Sequence, residues 1–278
     1  MRSFSYASGS LALGEKTYIM GILNITPDSF YDAGRFFDPV RAIERAVGMM
    51  EEGADIIDIG AVSTRPGADR ADEEEELRRL KSVFAEIRKN VRIPISVDTY
   101  RPDVARWCLD NGADIINDVS GEFNAETARF IKEYGAGWIL MHSGESGAKT
   151  EDVLGYPLGI VNHVQLFFDK VTAKAEEFGI SASRLCLDPG FGFAKTASQN
   201  TELLRSFDML KTGECAIMCA LSRKRFIGEL FNEKTADDRE AGTVAADICA
   251  VLKGADILRV HDVSAHKKVI CGIDKLAR

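Results

Sequence analysis

The sequence predicts an α/β fold closed as a (β/α)8 TIM-type barrel and preceded by a short N-terminal β-hairpin. Three observations lead there. The phrase Gly-Ala-Asp-Ile begins at Gly53, at Gly112 and at Gly254, each time after a stretch of helical periodicity and before an apolar run with a polar tip. A glycine at a helix C-terminus takes the left-handed conformation without a Cβ clash, and the Ile-rich run after it has the pattern of a strand buried on both faces. The copies are 59 and then 142 residues apart, which fits two and then four βα units of roughly thirty to thirty-five residues each. Finally, 278 residues with 45% hydrophobic content hold seven or eight such units around one large core, so residues 1–278 are expected to form a single barrel domain.

Taken in order, residues 4–13 alternate weakly around Gly9-Ser10, as a hairpin plugging one end of the barrel would. The first barrel strand is Tyr18 to Asn24, and the Pro/Gly-punctuated stretch to Gly34 is a long loop on its carboxyl end. Asp38-Pro39 is an N-cap with proline at the first helical position, followed by Ile43, Val47 and Met50 on one face. Strand two, 56–60, leads into a second unusual loop, Ser63-Thr-Arg-Pro-Gly-Ala68. Acidic residues 72–76 favour the dipole of the next helix and can pair with Arg78 and Arg79, while Leu77, Leu80, Phe84 and Ile87 face inward. Strands three and four end at Asp98 and Asn117, and strand five covers 138–142. A long helix then carries Ile160, Val164, Phe167, Val171, Ala175 and Phe178 on one side. Strand six, 185–188, opens into Pro189-Gly-Phe-Gly-Phe-Ala-Lys195, and strand seven, 216–221, ends in Ser222-Arg-Lys-Arg225. The following helix is expected to turn Ala241, Ala245, Ile248 and Leu252 inward. Strand eight, 257–260, precedes a last helix with Val269, Ile273 and Leu276. Eight such units with right-handed crossovers favour a closed barrel over a doubly wound open sheet.

Composition excludes some classes. A net charge of −8, from 35 basic and 43 acidic residues, argues against a general nucleic-acid or membrane surface. No stretch has signal-peptide or membrane-span character. The six cysteines form neither a disulfide ladder nor a zinc spacing, which points to a reducing cytoplasm.

Barrel enzymes place their sites at the carboxyl ends of the strands. Here those ends are Asn24, Asp58, Asp98, Asn117, His142, Asp188, Ser222 with Lys224, and Arg259 with His261. Any one of them could be a capped loop residue, but eight polar ends together exceed what capping requires. Asp98, Asn117 and Asp188 can accept the N–H donors of a nitrogen heterocycle, and Lys224, Arg259 and His261 lie where barrels often hold phosphate. Such a rim suits a ligand with a donor-rich ring at one end and a diphosphate at the other. Phe30 and Phe193, in polar loops, are placed to close over a flat ligand. No pair of histidines has metal-ligand spacing, and His163 and His266 are expected at the surface.

At this point the motifs Met20-Gly-Ile-Leu-Asn-Ile-Thr-Pro-Asp-Ser-Phe30, Ser63-Thr-Arg-Pro-Gly-Ala68, Ser96-Val-Asp-Thr99, Ile116-Asn-Asp118, Asp188-Pro-Gly-Phe-Gly-Phe193, Ser222-Arg-Lys224 and Arg259-Val-His261 resemble the dihydropteroate synthase family, in its order, from about residue 18 to the end. The resemblance implies condensation of 6-hydroxymethyl-7,8-dihydropterin diphosphate with p-aminobenzoate, giving 7,8-dihydropteroate and pyrophosphate in folate synthesis. Carried over motif by motif, it implies a pterin set of Asp98, Asn117, Met141, Asp188, Phe193, Lys224 and Arg259. A diphosphate set of Asn24, Thr64, Arg259 and His261 follows, with Mg²⁺ held by the leaving group, Asn24 and Asp32. The implied p-aminobenzoate pocket is Phe30, Thr64, Arg65, Pro66, Phe193 and Ser222. Asp98, Asn117, Asp188, Lys224, Arg259 and His261 are the implied catalytic residues, and the family expectation is a cytoplasmic homodimer. Three departures stand out: Ala61-Val62 where the family has Gly-Glu, Ala194 in place of a glycine, and an uncommon segment after His142. The rival readings are the pterin-binding domain of a corrinoid-dependent methyltransferase and a non-catalytic pterin-binding paralogue.

Overall fold

The computed structural model describes residues 2–26, 31–32, 36–62, 71–143 and 155–277, the side chains of 31–32 and 36–37 excepted. A hairpin of β1 (Ser3–Tyr6) and β2 (Gly9–Ala12) comes first, followed by β3 (Tyr18–Asn24) and a small antiparallel pair, β4 (Tyr31–Asp32) and β5 (Phe36–Phe37). Then α1 (Pro39–Glu51), β6 (Ile56–Gly60), α2 (Glu73–Asn90), β7 (Ile95–Asp98), α3 (Pro102–Asp110), β8 (Ile115–Asp118), α4 (Ala125–Tyr134) and β9 (Gly137–Met141) alternate. The chain continues through α5 (Ile160–Glu177), β10 (Leu185–Asp188), α6 (Ala197–Arg205), β11 (Ala216–Cys219), α7 (Arg225–Phe231), α8 (Glu240–Leu252), β12 (Ile257–Val260) and α9 (Val263–Ala277). Strands β3 and β6 to β12 pair in parallel, in sequence order, and β12 closes on β3. The barrel is the one expected, and the pair β4–β5 is an addition to it. The hairpin turns at Ala7-Ser8 rather than Gly9-Ser10, because Tyr6 pairs with Gly9 and Ser5 with Ser10.

The repeated phrase has one structural job. Gly53, Gly112 and Gly254 stand at φ +99, +94 and +90, a conformation that L side chains rarely adopt, and each ends a helix. The aspartate two residues on then clamps the foot of a neighbouring strand. Asp55 accepts from the Ile19 N–H at 2.9 Å, Asp114 from Ile95 at 3.0 Å and Asp256 from Ile217 at 3.0 Å. Each carboxylate also holds a cation: Lys16 and Lys267 on Asp55, Arg88 on Asp114, and Arg2 on Asp256. The three copies therefore lock the amino-terminal end of the barrel.

The interior and the shell are separate cores. Inside, Tyr18, Met20, Ile56, Ile115, Ile139, Cys186, Ala216, Met218 and Ile257 pack against Phe4, Leu11 and Leu13 of the hairpin region, which thus floors the barrel. Outside, alternate strand residues such as Ile19, Ile57, Val97 and Leu258 pack under the helices. The α2 face is as expected, with Leu80, Phe84 and Ile87 buried, and Glu75 pairs with Arg78 and Arg79. Glu76 differs: it is buried and ion-paired with Arg101.

Of the residues expected on the inward face of α8, Ile248 alone packs against the core. Gly242, Thr243, Ala246, Asp247 and Ala250 are buried, whereas Ala241 and Ala245 are exposed and Leu252 points to solvent. His266 is likewise fully buried, not superficial. His163 is half-buried, with its Nδ1 3.0 Å from Nε2 of His142. On α9, Val269 and Leu276 are exposed.

If the hairpin floors the interior, Phe4→Ala opens a cavity there and lowers unfolding stability by about 3–5 kcal/mol, read by urea denaturation. A loss under about 1 kcal/mol would mean that the floor does not bear on barrel stability.

Candidate functional site

Side chains along a strand alternate in direction, so the residue two beyond an interior one points into the barrel again, one layer higher. Two beyond Ile56, Ile115, Ile139, Cys186 and Ile257 stand Asp58, Asn117, Met141, Asp188 and Arg259. The apolar interior therefore gives way to a polar layer at the carboxyl ends of the strands. Asp98 joins it from β7, whose end pairs with Gly60 on one side and Asn117 on the other.

Arg259 is the hub of this layer. Its Nε donates to Asp58 Oδ2 at 2.6 Å and its Nη2 to Asp98 Oδ2 at 2.8 Å. Asn117 Nδ2 donates to the same Asp58 oxygen at 3.1 Å, leaving the buried Asn117 Oδ1 without a partner among the described residues. Burial raises the Asp98 carboxyl to about 7, with Arg259 opposing the rise and Asp58 adding to it. Burial likewise raises Asp188, against the pull of Lys224. The pocket thus presents acceptors whose charge is held in check by Arg259 at Asp58 and Asp98 and by Lys224 at Asp188.

The loop after β10 is tightly built. Asp188 accepts from the Gly190 N–H at 2.8 Å. Gly190 stands at φ +66, and a Cβ there would lie 1.8 Å from the His142 carbonyl oxygen, so only glycine fits. Lys195 reaches back beneath the loop and donates to the carbonyls of Gly190 at 2.8 Å, Phe193 at 3.0 Å and His142 at 3.3 Å. Burial lowers its ammonium to about 7. Asn200 holds the Gly192 N–H at 2.7 Å. Ala194, which replaces a glycine of the resembled family, nevertheless keeps a left-handed φ of +50.

From the end of the adjoining strand β11, Lys224 donates to the Phe191 carbonyl, and its Nζ lies 4.9 Å from the centre of the Phe193 ring. Burial lowers its ammonium to about 8, which Asp188 resists. Ser222 Oγ is 2.8 Å from His261 Nδ1 and accepts from the His261 N–H at 3.2 Å, tying the ends of β11 and β12 together. Asn24 ends β3, with its Oδ1 3.3 Å from where a Cβ on Gly60 would be.

Of the residues expected in the site, Asp98, Asn117, Asp188, Arg259, Lys224, Phe193, Ser222 and His261 stand on this rim, with Met141 buried at the end of β9. Phe30, Thr64, Arg65 and Pro66 lie outside the described residues, as does the side chain of Asp32. Two residues escaped the sequence reading as site members. Asp58 was visible as a strand tip, and its parity with Ile56 is the signal that seats it beside Arg259. Lys195 carried no signal, since its three partners are main-chain carbonyls.

Comparison with known proteins decides the family. Residues 20–261 match the family model described as pterin binding enzyme. The chain is 41% identical over 266 residues to a dihydropteroate synthase of Synechocystis sp., covering 95% of this chain and 92% of that protein. It belongs to the dihydropteroate synthase family. Among solved structures it is similar to Xanthomonas albilineans dihydropteroate synthase with 4-aminobenzoic acid, at TM-score 0.88 and 37% identity over 96% of this chain and 95% of that one. The enzyme from the same organism in complex with 7,8-dihydropteroate matches at TM-score 0.87 and 34% identity, over 99% and 98% of the two chains.

The Arg259→Met variant leaves Asp58 and Asp98 buried without their cation, which should cost about 3 kcal/mol or more at pH 8. Asp98 has a folded value above its unfolded one, so stability it contributes is present near pH 4 and lost as pH rises through about 7. Without Arg259 that loss deepens. The melting deficit of the variant should therefore be smaller at pH 5.5 than at pH 8, and a deficit independent of pH would contradict this charge balance.

Proposed function

We propose that the chain condenses 6-hydroxymethyl-7,8-dihydropterin diphosphate with p-aminobenzoate, giving 7,8-dihydropteroate and pyrophosphate in folate synthesis. The observation that carries this reading is Arg259 spanning Asp58 and Asp98 in a pocket that Asn117, Asp188 and Lys224 complete, within a chain of this family. A dihydropterin offers several ring N–H donors and few charges. Asp98, Asn117 and Asp188 supply matching acceptors, and Lys224 supplies a donor, with Met141 and Phe193 as apolar walls.

In the first step the bond from the pterin methylene to the diphosphate oxygen breaks, and the diphosphate leaves with the electron pair. Positive charge spreads into the ring, where the buried Asp188 carboxylate stabilises it. Arg259 and His261, with Asn24 and Thr64, receive the departing negative charge. The arylamine of p-aminobenzoate then forms the C–N bond and loses a proton, so no protein nucleophile is required. Phe30, Thr64, Arg65, Pro66, Phe193 and Ser222 form the p-aminobenzoate pocket in this reading, and the bound arylamine keeps water from the cation.

Of the two residues the resemblance gives to Mg²⁺, Asn24 has a described side chain, whose amide oxygen is a hard donor of the kind Mg²⁺ takes. Among the described residues no group of three or more His, Cys, Asp or Glu is arranged to hold a metal, and Mg²⁺ characteristically keeps waters and substrate phosphates in place of an all-protein cage. The Asn24 amide oxygen, in the space Gly60 leaves open, would hold it together with Asp32. When bound, it neutralises charge on the diphosphate leaving group.

The assembly we propose is a homodimer through the last helices, where Phe231, Leu252, Val269 and Leu276 are exposed on the neighbouring α7, α8 and α9. All six cysteines are free thiols, which suits a cytoplasmic enzyme. No helix among the described residues is long and apolar enough to cross a membrane.

The deciding experiment is pyrophosphate release from the dihydropterin diphosphate, with and without p-aminobenzoate and Mg²⁺, with dihydropteroate identified by mass. Product that depends on both is the expected result; pterin binding without product would contradict the reading. A second prediction follows from Lys224, which is protonated below about pH 8 and neutral above. Binding of the pterin diphosphate, measured by calorimetry, should weaken as pH rises through 8, and in Lys224→Arg that alkaline limb should move up by more than one pH unit. An unchanged limb in the variant would assign it to another group.

A further inference from the structure

A second polar cluster lies behind the site, against the barrel wall, and the reaction does not use it. His266 on α9 and Asp247 on α8 are both fully buried, with His266 Nε2 3.0 Å from Asp247 Oδ2. The other ring nitrogen, Nδ1, is 2.8 Å from the Asp262 carbonyl oxygen and 3.5 Å from Glu240 Oε1. Both nitrogens therefore face oxygen acceptors. Burial alone would lower the imidazole, but the Asp247 carboxylate, with the Asp262 carbonyl and Glu240, outweighs it and raises His266 above its ordinary value.

The cluster touches both halves of the diphosphate rim. On one side, Asp262 directly follows His261, and its carbonyl is the acceptor for His266. On the other, Glu240 Oε2 accepts from Arg223 Nε at 3.1 Å. Arg223 stands between Ser222 and Lys224 in a left-handed conformation, φ +58, that costs a non-glycine residue about 1 kcal/mol. It is held there from three directions. Its N–H donates to Thr243 Oγ1 at 3.2 Å, its carbonyl accepts from Arg239 Nη1 at 3.0 Å, and its guanidinium also reaches Asp237 at 3.0 Å. Glu240 and Thr243 thus use one face of α8 to grip the turn that presents Ser222 and Lys224 to the pocket, and Asp247 on the same face holds His266.

Stability alone is a poor account of this arrangement, because well-packed apolar residues of similar volume often replace a buried ion pair at no cost. We propose that His266, Asp247 and Glu240 are positioning residues that, through Arg223 and the Asp262 carbonyl, fix Lys224 and His261 for the diphosphate end of the reaction. The inference rests on the reaction assigned above. None of the three need touch substrate.

The test is the double variant His266→Met/Asp247→Leu, which fills the same space without charge, together with the nearly isosteric Glu240→Gln. The double variant should keep the melting temperature of the parent chain or exceed it, and Glu240→Gln, whose amide oxygen can still accept from Arg223, should stay folded. A misplacement of reacting groups by about 1 Å, caused from a distance, can cost on the order of a hundredfold, so kcat should fall by about tenfold or more in each, and by a larger factor than KM for p-aminobenzoate rises, since that pocket shares only Ser222 with this turn. Crystal structures should show Arg223 released from its left-handed turn and Lys224 moved off the Phe191 carbonyl. Wild-type kcat with Lys224 and His261 in place, in either folded variant, would overturn the proposal. If the double variant does not fold, Glu240→Gln alone decides by the same readouts. Should the unmodified chain make no dihydropteroate, the reaction assignment fails, and the positions of Arg223, Lys224 and His261 in the variant crystals still judge the positioning.

Discussion

One guanidinium makes this pocket possible. A site that reads N–H donors needs carboxylates, and carboxylates crowded at the mouth of a barrel repel one another and resist burial. Arg259 resolves that conflict by spanning Asp58 and Asp98 from the end of β12, across from both. The bridge also orients Asn117, which shares the Asp58 oxygen and is left with its own carbonyl oxygen free for a ligand. The acceptor array is therefore assembled before any substrate arrives, as preorganised electrostatic stabilisation requires.

The two ends of the barrel divide the labour. At the amino-terminal end, three copies of one phrase supply three aspartates, each fastened to the foot of a neighbouring strand and to a cation, above a hairpin that seals the interior. At the carboxyl end the same kinds of residue are spent on the pocket. Asp58 and Asp98 meet Arg259 there, and Lys195 stitches the loop after β10 by its carbonyls. The rigid lower end lets the upper one carry Arg223 and Ala194 in left-handed turns, and Asp98, Asp188 and Lys224 in burial, all of which cost stability.

The strands were legible in the sequence because each is an apolar run buried on both faces, bounded by a glycine and a polar tip. The strand tips gave away most of the pocket for the same reason, since a buried run ending in Asp, Asn, Arg or His has no other need of them. What stayed hidden were pairings between distant polar residues. The inward face of α8 is built of Gly242, Thr243, Ala246 and Asp247, small or polar, so the apolar periodicity of Ala241, Ala245, Ile248 and Leu252 marked a more exposed side. Asp247 becomes an inward residue only once His266 is seen beside it, 19 positions later in another helix. Met141 and Phe193 drew their roles from family resemblance. Phe30, Thr64, Arg65 and Pro66 did too, and they fall outside the described residues.

The most direct test of the preformed pocket is a pair of crystal structures, without ligand and with the dihydropterin diphosphate. The account predicts the pterin ring against Asp98, Asn117 and Asp188, with Arg259 still on Asp58 and these side chains in the same rotamers in both. A ring seated elsewhere, or an Arg259 that leaves both carboxylates when the ligand binds, would contradict it.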